Sequence, residues 1–443
     1  MDDHILRNGQ ETLTESSRMK CVVGQYLGGG GQGEVYSAKL GDKWLALKWY
    51  FPDSATTEQR AALETLVEVK PPNEKFLWPI ELVDVKDQTV PGFGYLMNLR
   101  EDRYKGIVDL MRRRIDPKLR TLVTACLYLA HSYSLLHGKG LCYRDISFGN
   151  VFFDPRNGDV LICDNDNVTV DKSSISGVLG TPRFMAPEVV CGKALPSTQT
   201  DLFSLAVLLF YMLMIHHPLE GKRELAIHSF DLPAMMKLYG EDPLFIFDPT
   251  NDSNAPVAGI HDNALLLWPI YPESIRKLFS RAFTDGLKDP THGRVREGEW
   301  RSAFADLRDW IFYCGQCAAE NFYDAEVARA IDGKRSVCWH CKKDLSLPYR
   351  IRLGNKVVML NRDTELFPHH LDGQKGYDFS RALASVTPHP NDPTVWGLKN
   401  LADQKWVTTN RAGIINEVEP GRSVRLDVGV KIQFGTTGGE INL

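Results

Sequence analysis

The chain has 443 residues, more than one hydrophobic core usually organises, so two or three domains are expected. Its 43% hydrophobic and 24% charged residues are those of a globular protein and exclude a disordered or fibrous class. A formal net charge of -4 supplies no bulk attraction to nucleic acid or anionic membrane, so neither is expected as a partner and function must be sought in sites.

Residues 1–20 are polar and lack the basic start and apolar run of a secretory signal, which predicts a short flexible N-terminal tail. From Cys21 to Leu47 two β-runs flank a glycine turn, and from Thr56 to Val69 apolar residues recur at helical spacing. Further strands are expected at Leu77–Val85 and Gly94–Leu99. Beyond Asp109 the pattern turns helical, as in "LRTLVTACLYLAHSYSLLHGKG", with terminal glycines as a stop signal. The apolar run Leu202–Ile215 has 14 residues, short of the roughly 20 needed to cross a bilayer, and predicts a buried helix. The polar stretch "DPTNDSNAPVAG" at 248–259 reads as a surface insertion, after which the helical half resumes to about Phe312. The last 95 or so residues carry Val, Ile, Thr and Trp runs between Gly, Asn and Pro turns, which predicts a separate β domain.

Chemistry-bearing motifs lie along this frame. In "LGGGGQGEVY", Gly28, Gly30 and Gly33 have G-x-G-x-x-G spacing with Val35 two places on, and glycine lets backbone amides approach phosphate oxygens without a Cβ in the way. A dinucleotide-binding turn would want a helix next, whereas a second strand, "KWLALKWY", follows with Lys48 on it. The helix after it offers Glu64 or Glu68 as an ion-pair partner for Lys48, with Glu64 preferred. In "LCYRDISFGN", Asp145 can accept a hydroxyl proton while Asn150 supplies a hard oxygen to Mg²⁺. Asp164 follows the apolar "VLIC" and is joined by Asn165 and Asp166.

Taken in order, the glycine loop, the strand lysine, "YRDISFGN", Asp164 and "GTPRFMAPE" at 180–188 resemble a eukaryotic-type Ser/Thr protein kinase over residues 21–312. The resemblance implies a bilobal α+β fold, with an N-lobe at 21–100 and a C-lobe at 101–312. It implies that Gly28, Gly30, Gly33 and Val35 cover ATP, that Lys48 and Glu64 hold its phosphates, and that Met97 backs the adenine pocket. Asp145 would be the catalytic base, and Asn150 with Asp164 the ligands of Mg²⁺ or Mn²⁺. Glu188 would pair with Arg294, and Asp201 would brace the catalytic loop. Ser173, Ser174 and Ser176 lie on the segment where phosphorylation could recruit Arg144, while Thr181 would shape the substrate loop.

The chain departs from that family in four places. Tyr143 replaces the histidine of His-Arg-Asp, and Ser147 replaces a phosphoryl-facing lysine, as in catalytic loops similar to those of the RIO kinases. Asn165 and Asp166 replace the Phe and Gly after the metal-binding aspartate. Retention of Lys48, Asp145, Asn150 and Asp164 points to an active kinase with a protein substrate; the competing reading is a pseudokinase scaffold that binds nucleotide and recruits partners.

Cys314-x-x-Cys317, a 20-residue spacer and Cys338-x-x-Cys341 form a zinc-ribbon signature over 313–344, with His340 a neighbour of the set. Residues 345–443 resemble a forkhead-associated (FHA) β-sandwich whose phosphate-binding set is incomplete. Ser380 and Arg381 fit its binding loop, but Asn355 follows Gly354 in place of arginine, Leu383 stands at the histidine position, and no Asn-Gly turn lies near Lys405 and Trp406. A docking role is therefore expected for it. The combination is similar to bacterial eukaryotic-like kinases of stress-response systems, which implies a cognate PP2C-type phosphatase and a von Willebrand A protein as partners. An odd total of nine cysteines with paired CxxC spacing favours a reducing compartment over a disulfide framework, so the cytoplasm is expected.

Overall fold

The computed structural model describes residues 4–85, 90–171, 180–324, 336–373 and 375–443. Ser173, Ser174 and Ser176 lie outside these residues. The chain divides into two compact units: Met1–Pro117, Ala125–Leu265 and Leu278–Arg301 form the first, and Lys118–Thr124, Leu266–Lys277 and Ser302–Leu443 the second.

The first unit begins as a closed antiparallel barrel of six strands, β1 (Glu11–Thr14), β2 (Lys20–Gly29), β3 (Gly33–Leu40), β4 (Lys43–Tyr50), β5 (Glu81–Asp84) and β6 (Gly94–Asn98), in the order β1-β2-β3-β4-β6-β5. Side chains alternate between core and surface along β3, so Tyr36 and Ala38 join Cys21, Val23, Leu45, Leu47 and Trp49 inside. The expectation of a flexible tail at 1–20 is corrected here. Strand β1 closes the barrel by pairing Glu11 with Val22 and Leu13 with Asp84, and Leu6 is buried in the same core. The Leu6 amide donates to the Tyr36 hydroxyl at 3.0 Å and the Ile5 amide to Glu34 at 2.9 Å. What made the segment look solvated is its threonines, yet Thr12 and Thr14 are buried and donate to the carbonyls of Cys21 and Met19.

Helix α1 (Thr57–Val69) is capped by Thr56, whose hydroxyl accepts from the Gln59 amide at 3.1 Å. It buries Leu63 and Leu66 and stops at Lys70, whose φ of 61° and ψ of 154° leave the helical region ahead of Pro71. The helical half of the unit is built on Ala125–Gly138 of α2 (Leu119–Gly138) and on α3 (Thr198–Met214). The latter is buried from Thr200 through Met214, as its apolar run predicts, and no described helix is long and apolar enough to cross a membrane. The stretch 248–259 is more than a surface insertion. Asn254 is fully buried there, and its amide donates to the carbonyls of Leu219 and Leu244 at 2.9 and 2.6 Å.

Asp201 of α3 fixes the loop that begins at Tyr143. Its carboxylate accepts from the amides of Tyr143 and Arg144 at 2.5 and 3.0 Å and from His137 Nε2 at 3.1 Å, while His137 Nδ1 meets Glu297. Burial would pull the imidazolium down, but the two carboxylates outweigh it and raise its pKa from 6.5 to about 9.

In the second unit, Ile311–Tyr313 pairs with Glu320–Phe322, and each Cys pair sits on a tight turn completed by a left-handed residue, Ala318 or Lys342. The β-rich end forms two antiparallel sheets. The larger runs Lys356–Met359, Arg350–Leu353, Gly438–Asn442, Lys431–Gln433, Trp406–Thr409, Ile415–Val418, and the smaller Glu365–Leu366, Ala384–His389, Asp392–Asn400, Ser423–Arg425. Ile351, Val358, Leu398, Trp406, Ile432 and Ile441 meet between them as one core, so this is a β-sandwich. Trp406 is fully buried against Phe434, and Arg381 pairs on the surface with Asp403 at 2.6 Å.

Two outcomes follow from these contacts. Leu6→Ala should destabilise the first unit by about 2–4 kcal/mol, read by denaturant unfolding, because it empties a site inside the barrel; a cost under about 0.5 kcal/mol would return the segment to a tail. Because His137 has a raised folded pKa, its contribution is fully present below pH 6.5 and is lost as pH rises through about 9. The stability gap between wild type and His137→Gln should therefore be widest near pH 6 and shrink steadily to pH 10, measured by thermal melts.

Candidate active site

A cleft of about 870 Å³ opens in the first unit between the barrel and the helical half. Gly28, Gly30, Gly33, Val35, Lys48, Met97, Asp145, Asn150 and Asp164 all line it, so the topology brings together residues drawn from positions 28 to 164. The glycines differ in what requires them. A Cβ on Gly28 or Gly30 would meet nothing within 4 Å, leaving room for a ligand, whereas a Cβ on Gly33 would lie 2.1 Å from the Trp49 carbonyl. Gly33 is needed for the close passage of β3 over β4 before any phosphate is considered.

The catalytic-loop carboxylate is held at both oxygens. Asp145 Oδ1 accepts from the Thr181 amide and hydroxyl, both at 2.8 Å, and Oδ2 accepts from the Asn150 amide nitrogen at 2.9 Å. Donating with its nitrogen leaves Asn150 its amide oxygen to offer to a cation. Asp164 has φ 52° and ψ 43°, a left-handed conformation that turns its carboxylate into the cleft, where its side chain is 42% exposed. Two hard oxygen donors at the cleft mouth suit a divalent ion such as Mg²⁺.

Three of the departures from the resembled family have local physical explanations. The Tyr143 hydroxyl donates to the Cys163 carbonyl, tying the catalytic loop to the strand that delivers Asp164. Asn165 is fully buried and donates to the Ile162 carbonyl at 2.9 Å, so a polar side chain folded back on its own strand fills the expected place of an apolar plug. Asp166 is buried behind the cleft and accepts from Lys48 Nζ at 2.8 Å and from the Tyr50 hydroxyl.

The Lys48–Glu64 pair does not form. Lys48 is 4% exposed and reaches Asp166 at 2.8 Å, Asp164 at 3.2 Å and the Gln32 side-chain oxygen at 3.4 Å. Glu64 is exposed and pairs with Arg60 at 3.6 Å, and Glu68 is exposed as well. Helix geometry is the reason. At 3.6 residues per turn, Glu64 lies about 140° around α1 from Gln59, and Glu68 about 180°. Gln59 is the α1 residue turned to the site, and its amide donates to the Tyr50 hydroxyl and the Asp166 carbonyl, each at 3.1 Å. Burial pulls the Lys48 ammonium down, but Asp166 and Asp164 outweigh it and leave its pKa raised. Burial, reinforced by Asp166, pushes the Tyr50 phenol up, so it remains a donor. Sequence reading missed Gln32, Tyr50 and Gln59; of these only Gln59 carried a usable signal, its phase with the buried Leu63 and Leu66.

Further from the cleft, Glu188 and Arg294 meet at 2.8 Å, and Arg294 also donates to the Gln199 carbonyl at 2.7 Å. In the second unit the four thiol sulfurs of Cys314, Cys317, Cys338 and Cys341 lie within 4.8 Å of one another, with Cys314–Cys341 at 3.7 Å and Cys317–Cys338 at 3.8 Å. A tetrahedral ion with metal–sulfur bonds near 2.3 Å separates its sulfurs by about 3.8 Å, so the set fits one zinc ion.

The chain is similar in sequence to known protein kinases. Protein kinase C-like 1 of Candida albicans is 38% identical over 92 residues, 20% of this chain and 8% of that protein. A probable serine/threonine-protein kinase of Zea mays is 26% identical over 213 residues, 47% of this chain and 33% of its own. A protein kinase of Saccharomyces cerevisiae is 30% identical over 174 residues, 38% and 43% of the two chains. The chain thus spans less than half the length of each of these curated relatives. The protein kinase domain family matches residues 21–267, more than half of the chain, and it is to that family that the chain belongs.

Proposed function

We propose that the protein is a serine/threonine protein kinase that transfers the γ-phosphoryl group of ATP to a protein hydroxyl. The observation that carries this reading is the convergence of Lys48, Asp145, Asn150 and Asp164 on one cleft. The buried Lys48 ammonium binds and orients phosphate oxygens. Asp145, held by Thr181 and Asn150, orients the acceptor hydroxyl and takes its proton. Asn150 and Asp164 hold a divalent cation, which when bound neutralises charge on the phosphates. Gly28 and Gly30 leave the loop above free to close on the nucleotide, and Met97 walls the adenine end. Ser147 adds no cation near the transferring group, so Lys48 carries more of the charge stabilisation than in a site with a second lysine.

Zinc at Cys314, Cys317, Cys338 and Cys341 has a structural role in this reading, since four protein ligands leave no open position. The β-sandwich, FHA-like in resemblance, acts as a docking module; its incomplete phosphate-binding set argues against phosphopeptide reading. The resemblance to stress-response kinases extends the proposal to cytoplasmic signalling with a PP2C-type phosphatase and a von Willebrand A protein as partners. Thiolate zinc ligands suit such a reducing compartment.

With labelled ATP and Mg²⁺, wild type should label itself or a generic acceptor, and Asp145→Asn should lower the rate roughly 100-fold or more while retaining ATP binding. Equal, nucleotide-dependent binding without transfer in both proteins would favour the scaffold reading. Metal analysis of the native chain should find one zinc per molecule, and Cys338→Ser should lose it together with the thermal stability of the second unit.

A further inference from the structure

A lysine that grips phosphates needs a carboxylate behind it, because an unpaired ammonium at 4% exposure would turn away or lose its proton. Two carboxylates touch Lys48, and they differ in where they face. Asp164 lines the cleft with its side chain 42% exposed, whereas Asp166 has 0% side-chain exposure and does not line the cleft. Asp164 is thus free to turn its charge toward a cation, and Asp166 stands behind the ammonium.

Everything around Asp166 fixes it in that place. Its Oδ2 takes both Lys48 Nζ and the Tyr50 hydroxyl, and its backbone carbonyl is held by Gln59 of α1 at 3.1 Å. Gln59 also donates to the Tyr50 hydroxyl, so phenol, amide and carboxylate form one closed ring of hydrogen bonds. No acidic residue of α1 is bonded to Lys48: Glu58, Glu64 and Glu68 are all exposed.

We propose that Asp166 is the positioning residue for Lys48, so that the loop which carries the metal-binding Asp164 also supplies the lysine's anchor, and α1 acts only through Gln59. The placement of Lys48 stands on these contacts alone, and its consequence for phosphoryl transfer rests on the kinase reading above. A conformational shift of α1 then reaches the lysine through the Gln59 bonds to the Asp166 backbone and the Tyr50 hydroxyl, not by breaking an ion pair.

The test uses the full chain and two readouts. Without nucleotide or metal, acylation of Lys48 by an amine-reactive ester, followed by peptide mass spectrometry, reports how firmly the amine is held. With Mg²⁺, kcat and KM for ATP report its alignment. Asp166→Asn should speed Lys48 acylation several-fold and lower kcat/KM for ATP roughly tenfold to 100-fold, and Tyr50→Phe should shift both in the same direction by less. Glu64→Gln and Glu68→Gln should leave both within about twofold of wild type. Should Asp166→Asn fail to fold, Tyr50→Phe set against Glu64→Gln and Glu68→Gln carries the comparison. The proposal is overturned if Asp166→Asn and Tyr50→Phe acylate like wild type, or if Glu64→Gln or Glu68→Gln gives the larger change. A wild type that transfers no phosphoryl group defeats the kinase reading instead, and the acylation contrast still decides the anchor.

Discussion

The ammonium group of Lys48 is taken almost wholly out of water, and an ammonium so placed must meet carboxylate charge or be lost as a charge. The cleft is organised around that demand. Asp166 answers from behind and Asp164 from the front, so one short loop holds the lysine and also presents the carboxylate suited to a cation. Because the strand before this loop is tied to the catalytic loop by the Tyr143 hydroxyl, the positions of Lys48, Asp164 and Asp145 are set jointly.

A second constraint works from below. Asp201 accepts three hydrogen bonds, two of them from consecutive backbone amides of the catalytic loop, and it belongs to a helix buried along most of its length. A rigid buried helix is a fitting base for a loop that must present Asp145 with both oxygens already engaged. The left-handed backbone at Arg144 is held by the bond of its amide to Asp201, as strain at functional sites generally requires surrounding structure that over-determines it.

Seen through these constraints, the departures from the common kinase pattern form one consistent rearrangement. Tyr143 ties its loop to the strand before Asp164, Asn165 closes on its own strand, and Asp166 takes a place where glycine could offer no charge. Tyr143, Asn165 and Asp166 each make a hydrogen bond, although the buried Oδ1 atoms of Asn165 and Asp166 are left without a partner among the described residues.

Much was legible from the chain alone. The glycine spacing, Lys48 on a strand, Asp145 and Asn150 five apart, Asp164 after an apolar strand, and the paired cysteines each carry local chemistry whose residue type and spacing survive any packing. The long apolar run of α3 likewise announced its burial. What spacing could not decide was which carboxylate meets Lys48, because Glu64, Glu68, Asp164 and Asp166 lie 16 to 118 residues from it and only the azimuth of α1 and the turn at Asp164 select among them. The polar residues 4–14 hid a barrel strand for a related reason. Threonine hydroxyls look solvated in a sequence and become core-compatible only when tertiary pairing brings carbonyls to accept them. Local chemistry was written in the sequence, whereas the pairing of buried charges and hydroxyls was decided by the tertiary structure, because it depends on distances between segments that no local pattern encodes.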